Sequence, residues 1–310
     1  MASVSIKHRI EYLALRVVAA IVRSLPRKTA LAFGRVAGRL SMTFLPGRYR
    51  LARENMTLAL PELSAVEIEA KVRKNFEHIG ASGVEMLRLD MLKRGKDDLN
   101  RYFDLENVHL LREALALNKG VILLTAHLGF WEAGNFIMSD LEIPCAAVAK
   151  PLKNPLSDRY FEEIRTSFGT EILNSRKGAR RILKSLRRNR VVVVLLDQHI
   201  SPPGSVMVDF FGREAYTTTA IANLAMKYQI PIVPIFFLRQ ADDRYKVWAE
   251  PIVTLTGEGE SAVIENTQRL TNIIETAVLK DVSQWFWMHK RWRKKKVKDK
   301  GEGQRFKDKG

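Results

Sequence analysis

The segment Val121-Ile-Leu-Leu-Thr-Ala-His-Leu-Gly-Phe-Trp-Glu132 decides how the middle of this chain folds. Its first six residues are a continuous apolar run, which is typical of a strand buried in a sheet. Residues 133–138 can continue as a helix, so the segment predicts a strand, a turn and a helix. His127 and Glu132 should then lie at the carboxyl edge of a sheet, where open α/β proteins build their sites. A neutral imidazole can remove a proton from a hydroxyl, and a carboxylate beside it can fix its tautomer.

Strands and helices alternate on both sides of this segment, which predicts a largely parallel sheet flanked by helices. The predicted fold class is therefore α/β: a single domain with such a sheet, plus a helical N-terminal extension. Ser64 and Glu67 are spaced as a capping box at the start of a helix over 64–92. Residues 206–219 are predicted to form a loop. The predicted strands are 102–107, 121–126, 144–149, 171–173, 191–196, 231–238 and 247–255; the helices between and after them are 108–118, 131–138, 155–168, 177–188, 218–228 and 260–280.

Three segments follow from composition: an N-terminal helical segment (1–45), the α/β domain (46–292) and a basic tail (293–310). Apolar residues recur at helical spacing from Ile10 to Leu25, but arginines interrupt them. The longest uncharged run in this helix is far shorter than the roughly 20 residues that span a bilayer. The pattern favours an amphipathic helix lying in the membrane interface. An ordinary helix packed on the domain is the alternative.

The chain has 310 residues and a net charge of +17, with 51 Lys and Arg against 34 Asp and Glu. Such an excess favours an anionic partner, which can be nucleic acid, anionic lipid or an acidic protein. No nucleic-acid-binding motif is visible, so nucleic acid is not the expected partner. The one cysteine, Cys145, fits a small buried hydrophobic residue. Because that cysteine is isolated and the histidines lack ligand spacing, no metal site is expected.

A second polar strand end lies beyond the first. The apolar run 191–196 stops directly at Asp197 and Gln198. If this strand runs parallel to 121–126, both polar ends face the same crevice; a turn cap is the alternative role for Asp197. Arg176 follows the short strand 171–173, and its guanidinium suits bidentate binding of a phosphate. A plain surface arginine is the alternative there.

An ordered series of motifs carries a family resemblance. His127 and Glu132 give the H-x4-E spacing, and Lys150-Pro-Leu-Lys-Asn-Pro155 with Asp158 is similar to an "RP…NP…D" segment. Together they resemble the bacterial lauroyl/myristoyl acyltransferases of lipid A biosynthesis, within the glycerolipid acyltransferase superfamily. The similarity covers about residues 49–292. The motifs continue with Leu196-Asp-Gln198, Gly204, Val208-Asp-Phe-Phe-Gly212 and Trp287-Met-His-Lys-Arg291.

The resemblance implies catalytic roles for His127, as general base, and for Glu132, which would orient it. The donor would be an acyl-carrier-protein thioester, and the acceptor a hydroxyl of a phosphorylated lipid A precursor of the Kdo-lipid A type. No cofactor is required. The place of action would be the cytoplasmic face of the bacterial inner membrane, reached through the N-terminal helix and the basic surface. Substrate-binding roles are expected for Lys150, Arg176, Asp197, Gln198, Phe211 and Gly212.

Other interpretations stay open. Phe211 and its neighbour Phe210 can be plain core or border an acyl channel, and the resemblance favours the channel. Another lipid acceptor, such as a lysophospholipid or an aminolipid, is an alternative within the enzymes. A non-enzymatic protein that binds nucleic acid or membranes is the alternative outside them.

Overall fold

The computed structural model describes residues 4–92, 96–174 and 178–292. Arg176 and the basic tail 293–310 lie outside these described residues. The strands are β1 (Phe103–Glu106), β2 (Val121–Thr125), β3 (Cys145–Ala149), β4 (Glu171–Asn174), β5 (Val191–Leu195), β6 (Ser205–Asp209), β7 (Glu214–Thr218), β8 (Ile232–Arg239) and β9 (Tyr245–Ala249). The helices are α1 (Ile6–Ser24), α2 (Arg27–Phe44), α3 (Pro46–Ala59), α4 (Ala65–Met86), α5 (Lys96–Tyr102), α6 (Leu110–Leu115), α7 (Gly134–Asp140), α8 (Pro155–Thr166), α9 (Gly178–Leu186), α10 (Ala220–Tyr228) and α11 (Gly259–Leu279).

Seven strands form the main sheet, in the order β1-β9-β8-β2-β5-β3-β4. The five strands from β8 to β4 are parallel to one another, and β9 pairs antiparallel with β8. The prediction of an α/β domain with a largely parallel sheet is confirmed. Because β2 and β5 are neighbours in register, their carboxyl ends meet at the same edge.

Both faces of β2 are buried, which explains its continuous apolar run. Ile122 and Leu124 point into the core shared with α3, α4, α9, α10 and α11. Val121 and Leu123 point the other way, into the core shared with α6, α7 and α8. Side chains alternate in this manner because successive residues of a strand face opposite sides of the sheet. The strand that carries His127 is thus held in the centre of the domain.

The helix α2 packs closely on α4 through glycines. A Cβ added at Gly38 would lie 2.1 Å from the carbonyl oxygen of Phe76, and one at Gly80 would lie 2.1 Å from that of Gly34. No side chain larger than hydrogen fits at these two positions. The prediction places α1 and α2 together in the N-terminal segment 1–45. In the structure, α2 packs against α4 of the α/β domain.

The helix α1 lies against α8 and leaves an apolar stripe exposed. Nδ2 of Asn154 donates to the His8 carbonyl at 2.9 Å, and the rings of Tyr12 and Tyr160 meet edge to face. Ile10 and Leu13 on the outer side of α1 are more than 60% exposed. Among the described helices, none combines the length and apolar character needed to cross a membrane.

The prediction of a loop over 206–219 is wrong, because β6 and β7 form an antiparallel hairpin there. Pro202, Pro203 and Gly204 before the hairpin and Gly212 within it are typical of loops. They outweigh the strand pattern of β6 and β7, so the sequence does not predict these two strands. Phe211 and Gly212 both have positive φ, 57° and 66°, and turn the chain between the strands. Paired positive φ values are typical of tight hairpin turns. The capping box of Ser64 and Glu67 is confirmed.

Candidate active site

His127 and Asp197 meet at the carboxyl edge of the sheet. The Nδ1 atom of His127 lies 2.9 Å from Oδ1 of Asp197, and the backbone N–H of His127 donates to Oδ2 at 2.9 Å. Because β2 and β5 pair in parallel, the residues that follow them are brought together across 70 positions of sequence. The two polar strand ends therefore face one crevice, as expected from the sequence.

The Asp197 contact fixes the tautomer of the His127 ring. An ionised carboxylate only accepts hydrogen bonds, so Nδ1 carries the proton and Nε2 has a free lone pair. The side-chain amide of Gln198 lies at that lone pair, with Nε2 of the amide 3.1 Å from Nε2 of the ring. The imidazole is thus held between a buried acceptor and a neutral amide donor.

Asp197 is almost completely buried, with 2% of its surface exposed. Burial alone would raise the pKa of this carboxyl. The attraction of His127, the hydrogen bonds from its ring and backbone, and the indole N–H of Trp285 outweigh burial and lower the pKa below its usual value. The carboxylate is therefore ionised at neutral pH and available to stabilise an imidazolium at His127.

Glu132 has a different partner from the one predicted. Its carboxylate accepts from Nε of Arg165 at 2.9 Å and from a terminal guanidinium nitrogen at 2.5 Å. The side-chain amide of Asn135 donates to it as well, at 3.3 Å. The expectation that Glu132 orients His127 is corrected: Asp197 makes that contact.

The reason lies in the turn that follows His127. Residues 131–133 form a short 3-10 turn, which points the Trp131 ring towards His127 and Glu132 towards α8. Burial would lower the pKa of Arg165, but its hydrogen bond and attraction to Glu132 raise it. The pair therefore remains ionic and fastens the turn to α8. A spacing of five residues gives proximity along the chain, not the direction of a side chain.

The loop after His127 depends on a glycine that no other residue can replace. Gly129 has a φ of 62°, and a Cβ there would lie 1.8 Å from the carbonyl oxygen of Phe237. Its carbonyl accepts from Nε2 of His78 at 3.1 Å. Burial lowers the pKa of His78 to about 3, so this ring is neutral and serves as a fixed donor. His78 has no spaced partner in the sequence that would indicate this role.

The C-terminal segment, residues 284–292, closes over both strand ends. The backbone N–H of Phe286 donates to the carbonyl of His127 at 3.0 Å. Arg291 is completely buried, and its guanidinium donates to the carbonyls of Gln198 and Tyr216 at 3.3 and 2.7 Å. Burial lowers its pKa to about 10, so it stays charged. In the sequence, the family-like motif over residues 287–291 is the signal that indicates a functional role for this segment.

Comparison with known proteins identifies the family of this chain. The sequence model of the family described as bacterial lipid A biosynthesis acyltransferase matches residues 3–294. The chain belongs to this family. It is 25% identical over 277 residues to the lipid A biosynthesis palmitoleoyltransferase of Escherichia coli K12, with 88% of each chain covered. The lipid A biosynthesis myristoyltransferase of the same strain is 28% identical over 203 residues, which are 66% of this chain and 61% of that one.

A phosphatidylinositol mannoside acyltransferase of Mycolicibacterium smegmatis is also similar, with 24% identity over 212 residues and 67% of each chain covered. The resemblance seen in the ordered motifs is confirmed. The chain is an acyltransferase, and its family acts on lipid A-like acceptors.

The other residues predicted for this acyltransferase fall into distinct places. Lys150 is exposed just after β3, on the same edge as His127. Phe211 is a core residue, packed on Trp285 and Trp287, so the interpretation as plain core fits its contacts better than an acyl channel. Gly212 is exposed in the hairpin turn, where its N–H donates to Asp209. Arg176 lies outside the described residues.

Asp197 and Gln198, which the sequence predicts to bind substrate, both contact the His127 ring. The buried Asp197 is enclosed by its donors, so it positions His127. The side-chain amide of Gln198 lies at Nε2 of the ring, on the side away from Asp197. Among the described residues, no group of three or more His, Cys, Asp or Glu side chains converges as metal ligands would.

The "NP…D" motif has a structural explanation. Oδ1 of Asn154 accepts from the N–H groups of Leu156 and Ser157 and so caps α8. Oδ1 of Asp158 accepts from the N–H of Leu152 at 2.8 Å. These contacts order the segment that runs from Lys150 to the helix carrying Arg165.

Proposed function

We propose that this acyltransferase moves a fatty acyl chain from an acyl-carrier-protein thioester to a hydroxyl of a phosphorylated lipid A precursor of the Kdo-lipid A type. The observation that carries the proposal is the His127 ring, whose Nδ1–H is held by Asp197 and whose Nε2 lone pair meets the side-chain amide of Gln198. A ring in this state is suited to remove a proton from a hydroxyl.

The reaction follows from that arrangement. The acceptor hydroxyl displaces the Gln198 amide from Nε2 of His127 and gives its proton to that nitrogen. Its oxygen attacks the thioester carbonyl, and the tetrahedral oxyanion collapses with loss of the thiolate, which takes the proton back from the imidazolium. Asp197 stabilises the imidazolium while it exists. General-base assistance of this kind contributes about 10²–10⁴ in rate.

Glu132 is proposed to support the removal of the hydroxyl proton indirectly, without taking part in the proton transfer. Its ion pair with Arg165 fixes the turn on which Trp131 lies, and the Trp131 ring meets the His127 ring edge to face at 4.9 Å between centroids. We assign Glu132 the role of holding this turn. The thioester is already an activated acyl group, so the reaction needs neither a metal ion nor a nucleotide.

The acceptor and the membrane are expected on the basic and apolar surfaces near this edge. Lys150 and Arg176 are proposed to bind the phosphates of the acceptor, because cations pair strongly with phosphate. The exposed stripe of α1, which includes Ile10 and Leu13, is proposed to lie in the interface of the inner membrane on its cytoplasmic face. Arg9 and Arg16 on the same helix would face the anionic headgroups.

A second acceptor class is supported by one finding. The similarity to a phosphatidylinositol mannoside acyltransferase extends over 67% of the chain, and the similarity to the myristoyltransferase over 66%. A glycosylated phospholipid also offers a sugar hydroxyl beside a phosphate. The same His127 chemistry would serve it, so the acceptor must be decided by experiment.

The test is an acyl-transfer assay with the full chain in membranes. Acyl-carrier-protein thioesters and coenzyme A thioesters of several chain lengths are each offered with a lipid A precursor or with a mannosylated phosphatidylinositol. His127→Ala should lower the rate by about 10²–10⁴. The matched control is His109→Ala, because the His109 side chain is 64% exposed and pairs only loosely with Glu113.

Each outcome has a definite meaning. Product from the carrier-protein thioester on the lipid A precursor supports the proposal. Product on the mannosylated lipid alone, or from coenzyme A thioesters alone, overturns the acceptor or the donor. Undiminished activity of His127→Ala would overturn the chemistry.

A further inference from the structure

We infer that Trp285 is a positioning residue of the acyl transfer, whose indole N–H holds the Asp197 carboxylate in the orientation that fixes His127. The inference rests on the proposed role of His127 as general base. Nε1 of Trp285 donates to Oδ2 of Asp197 at 2.7 Å. The indole is 1% exposed, so no water competes for this bond.

Three hydrogen-bond donors bind the two oxygens of the Asp197 carboxylate. Oδ2 of Asp197 accepts from Trp285 and from the backbone N–H of His127, and Oδ1 accepts from the His127 ring. Trp285 is therefore the one donor in this set that does not belong to His127. Without it, the donors that remain in this set would both belong to His127, and the carboxylate would no longer be tied to the C-terminal segment.

The charge of Asp197 also depends on these donors. Among the described ion pairs, Asp197 has no lysine or arginine partner, and its contact within ion-pair distance is His127. A buried carboxylate without hydrogen bonds is strongly disfavoured. Hydrogen bonds to an ionised acceptor are about twice as strong as neutral ones. The Trp285 N–H thus helps to keep the buried Asp197 ionised.

The backbone of the C-terminal segment aims the indole at its target. Trp285 forms a β-bridge with Leu128, and its carbonyl accepts from Nδ2 of Asn75 on α4 at 2.6 Å. The rings of Phe210 and Trp287 pack on it edge to face, with centroids 5.5 and 4.7 Å away. A side chain locked in this manner can hold a catalytic group within the narrow range of geometry that proton transfer needs.

The groups that act on Asp197 electrostatically are His127, His289 and Arg291. Burial lowers the pKa of His289 to about 4 and that of Arg291 to about 10. Between these two values His289 stays neutral and Arg291 stays charged. Within this set, neither His289 nor Arg291 therefore changes its charge in the physiological pH range.

Loss of the indole donor should move the acid limb of the activity profile in one direction. The Trp285 hydrogen bond favours the ionised carboxylate and lowers the pKa of Asp197. Without it, the negative charge is less satisfied and attracts a proton to the His127–Asp197 pair more strongly. The pair then becomes protonated at higher pH, and the base is lost at higher pH.

The experiment compares Trp285→Phe with Trp287→Phe in the acyl-transfer assay across pH. Both indoles are buried in the same aromatic cluster, and both donate one hydrogen bond. The Trp287 N–H donates to the carbonyl of Val282 at 2.6 Å, not to Asp197. Trp287→Phe therefore reproduces the loss of packing and of one N–H without touching the carboxylate.

For Trp285→Phe we expect kcat/KM at neutral pH to fall about tenfold and the acid limb of its pH profile to move up by about one unit. Activity should recover towards the wild-type value at alkaline pH. Trp287→Phe should leave the acid limb in place. Coincident profiles of Trp285→Phe and the wild type, or equal shifts in both variants, would overturn the inference.

Two further points keep the test decisive. If Trp285→Phe does not fold, benzothienylalanine is placed at position 285, because it keeps the shape of the indole and replaces the N–H with sulfur. If the wild type transfers no acyl chain, the proposed function fails; if it does so with an acid limb that Trp285 does not influence, only the present inference fails.

Discussion

Asp197→Asn should abolish acyl transfer by moving one proton within the His127 ring. Two N–H groups, from the His127 backbone and Trp285, point at Oδ2 of Asp197. The amide oxygen of an asparagine must occupy that position, because an NH2 group there would leave two buried donors without an acceptor, at about 1–3 kcal/mol each. The amide NH2 then faces Nδ1 of His127, which must accept from it.

The consequence is a ring protonated on the wrong nitrogen. When Nδ1 accepts, the neutral ring carries its proton on Nε2, and no lone pair is left for the acceptor hydroxyl. The same exchange of carboxylate for amide beside a catalytic imidazole lowers kcat by about 10⁴ in serine proteases, which corresponds to about 5.5 kcal/mol. We expect a loss of similar size here, measured as kcat/KM for product formation from the thioester.

The decisive comparison is Glu132→Gln, which removes the carboxylate that the family spacing emphasises. Because the Glu132 side chain bonds Arg165 and Asn135, this variant should keep the His127 tautomer and lose about tenfold or less. Thermal unfolding of both variants checks that they remain folded. A folded Asp197→Asn protein within about tenfold of the wild type, or a Glu132→Gln protein as inactive as Asp197→Asn, would refute the reasoning.

Three further perturbations test neighbouring contacts. Gln198→Glu places a carboxylate at the Nε2 lone pair of the catalytic imidazole and favours its protonated form, so kcat should fall about 10²-fold, whereas Gln198→Ala should lose much less; equal losses would contradict this. Gly129→Ala should lower the free energy of unfolding by about 3 kcal/mol or more in a denaturant titration, because its Cβ would lie 1.8 Å from the Phe237 carbonyl, while Gly83→Ala, with open space around it, should not. Burial lowers the pKa of His78 from the ordinary 6.5 to about 3 in the folded state, so the unfolded chain binds more protons between these two pH values. The free energy of unfolding should therefore fall as pH drops through this window, and His78→Gln should reduce the slope.

The sequence predicts the sheet well because its central strands are buried on both faces. The runs 121–126 and 191–196 contain few residues that compete with a strand assignment, and β2 and β5 lie there in the structure. Parallel neighbours must present their carboxyl ends at one edge, so the meeting of His127 and Asp197 follows from these two assignments. The hairpin β6–β7 is missed because its turn residues, including Gly212, have the composition of a longer loop.

Contacts between distant segments are beyond such reasoning. Trp285 is 88 residues from the Asp197 carboxylate that it binds. Its apolar neighbours predict burial, but burial gives no direction to an indole N–H. Arg291 lies just before the basic tail (293–310), yet it is completely buried, and its guanidinium donates to the carbonyl of Gln198. Tertiary packing alone determines these placements.

The contrast between the two carboxylates explains why proximity in sequence misleads about mechanism. Glu132 is near His127 along the chain, but its charge is already paired with the Arg165 guanidinium in two hydrogen bonds. A paired anion offers little additional stabilisation to a positive charge that forms on a nearby ring. Asp197 is bonded by neutral N–H groups and the ring itself, so its charge remains available when His127 takes up a proton. In the proposed mechanism, the distant Asp197 is therefore the carboxylate that stabilises the imidazolium, and we propose that the nearby Glu132 holds the loop.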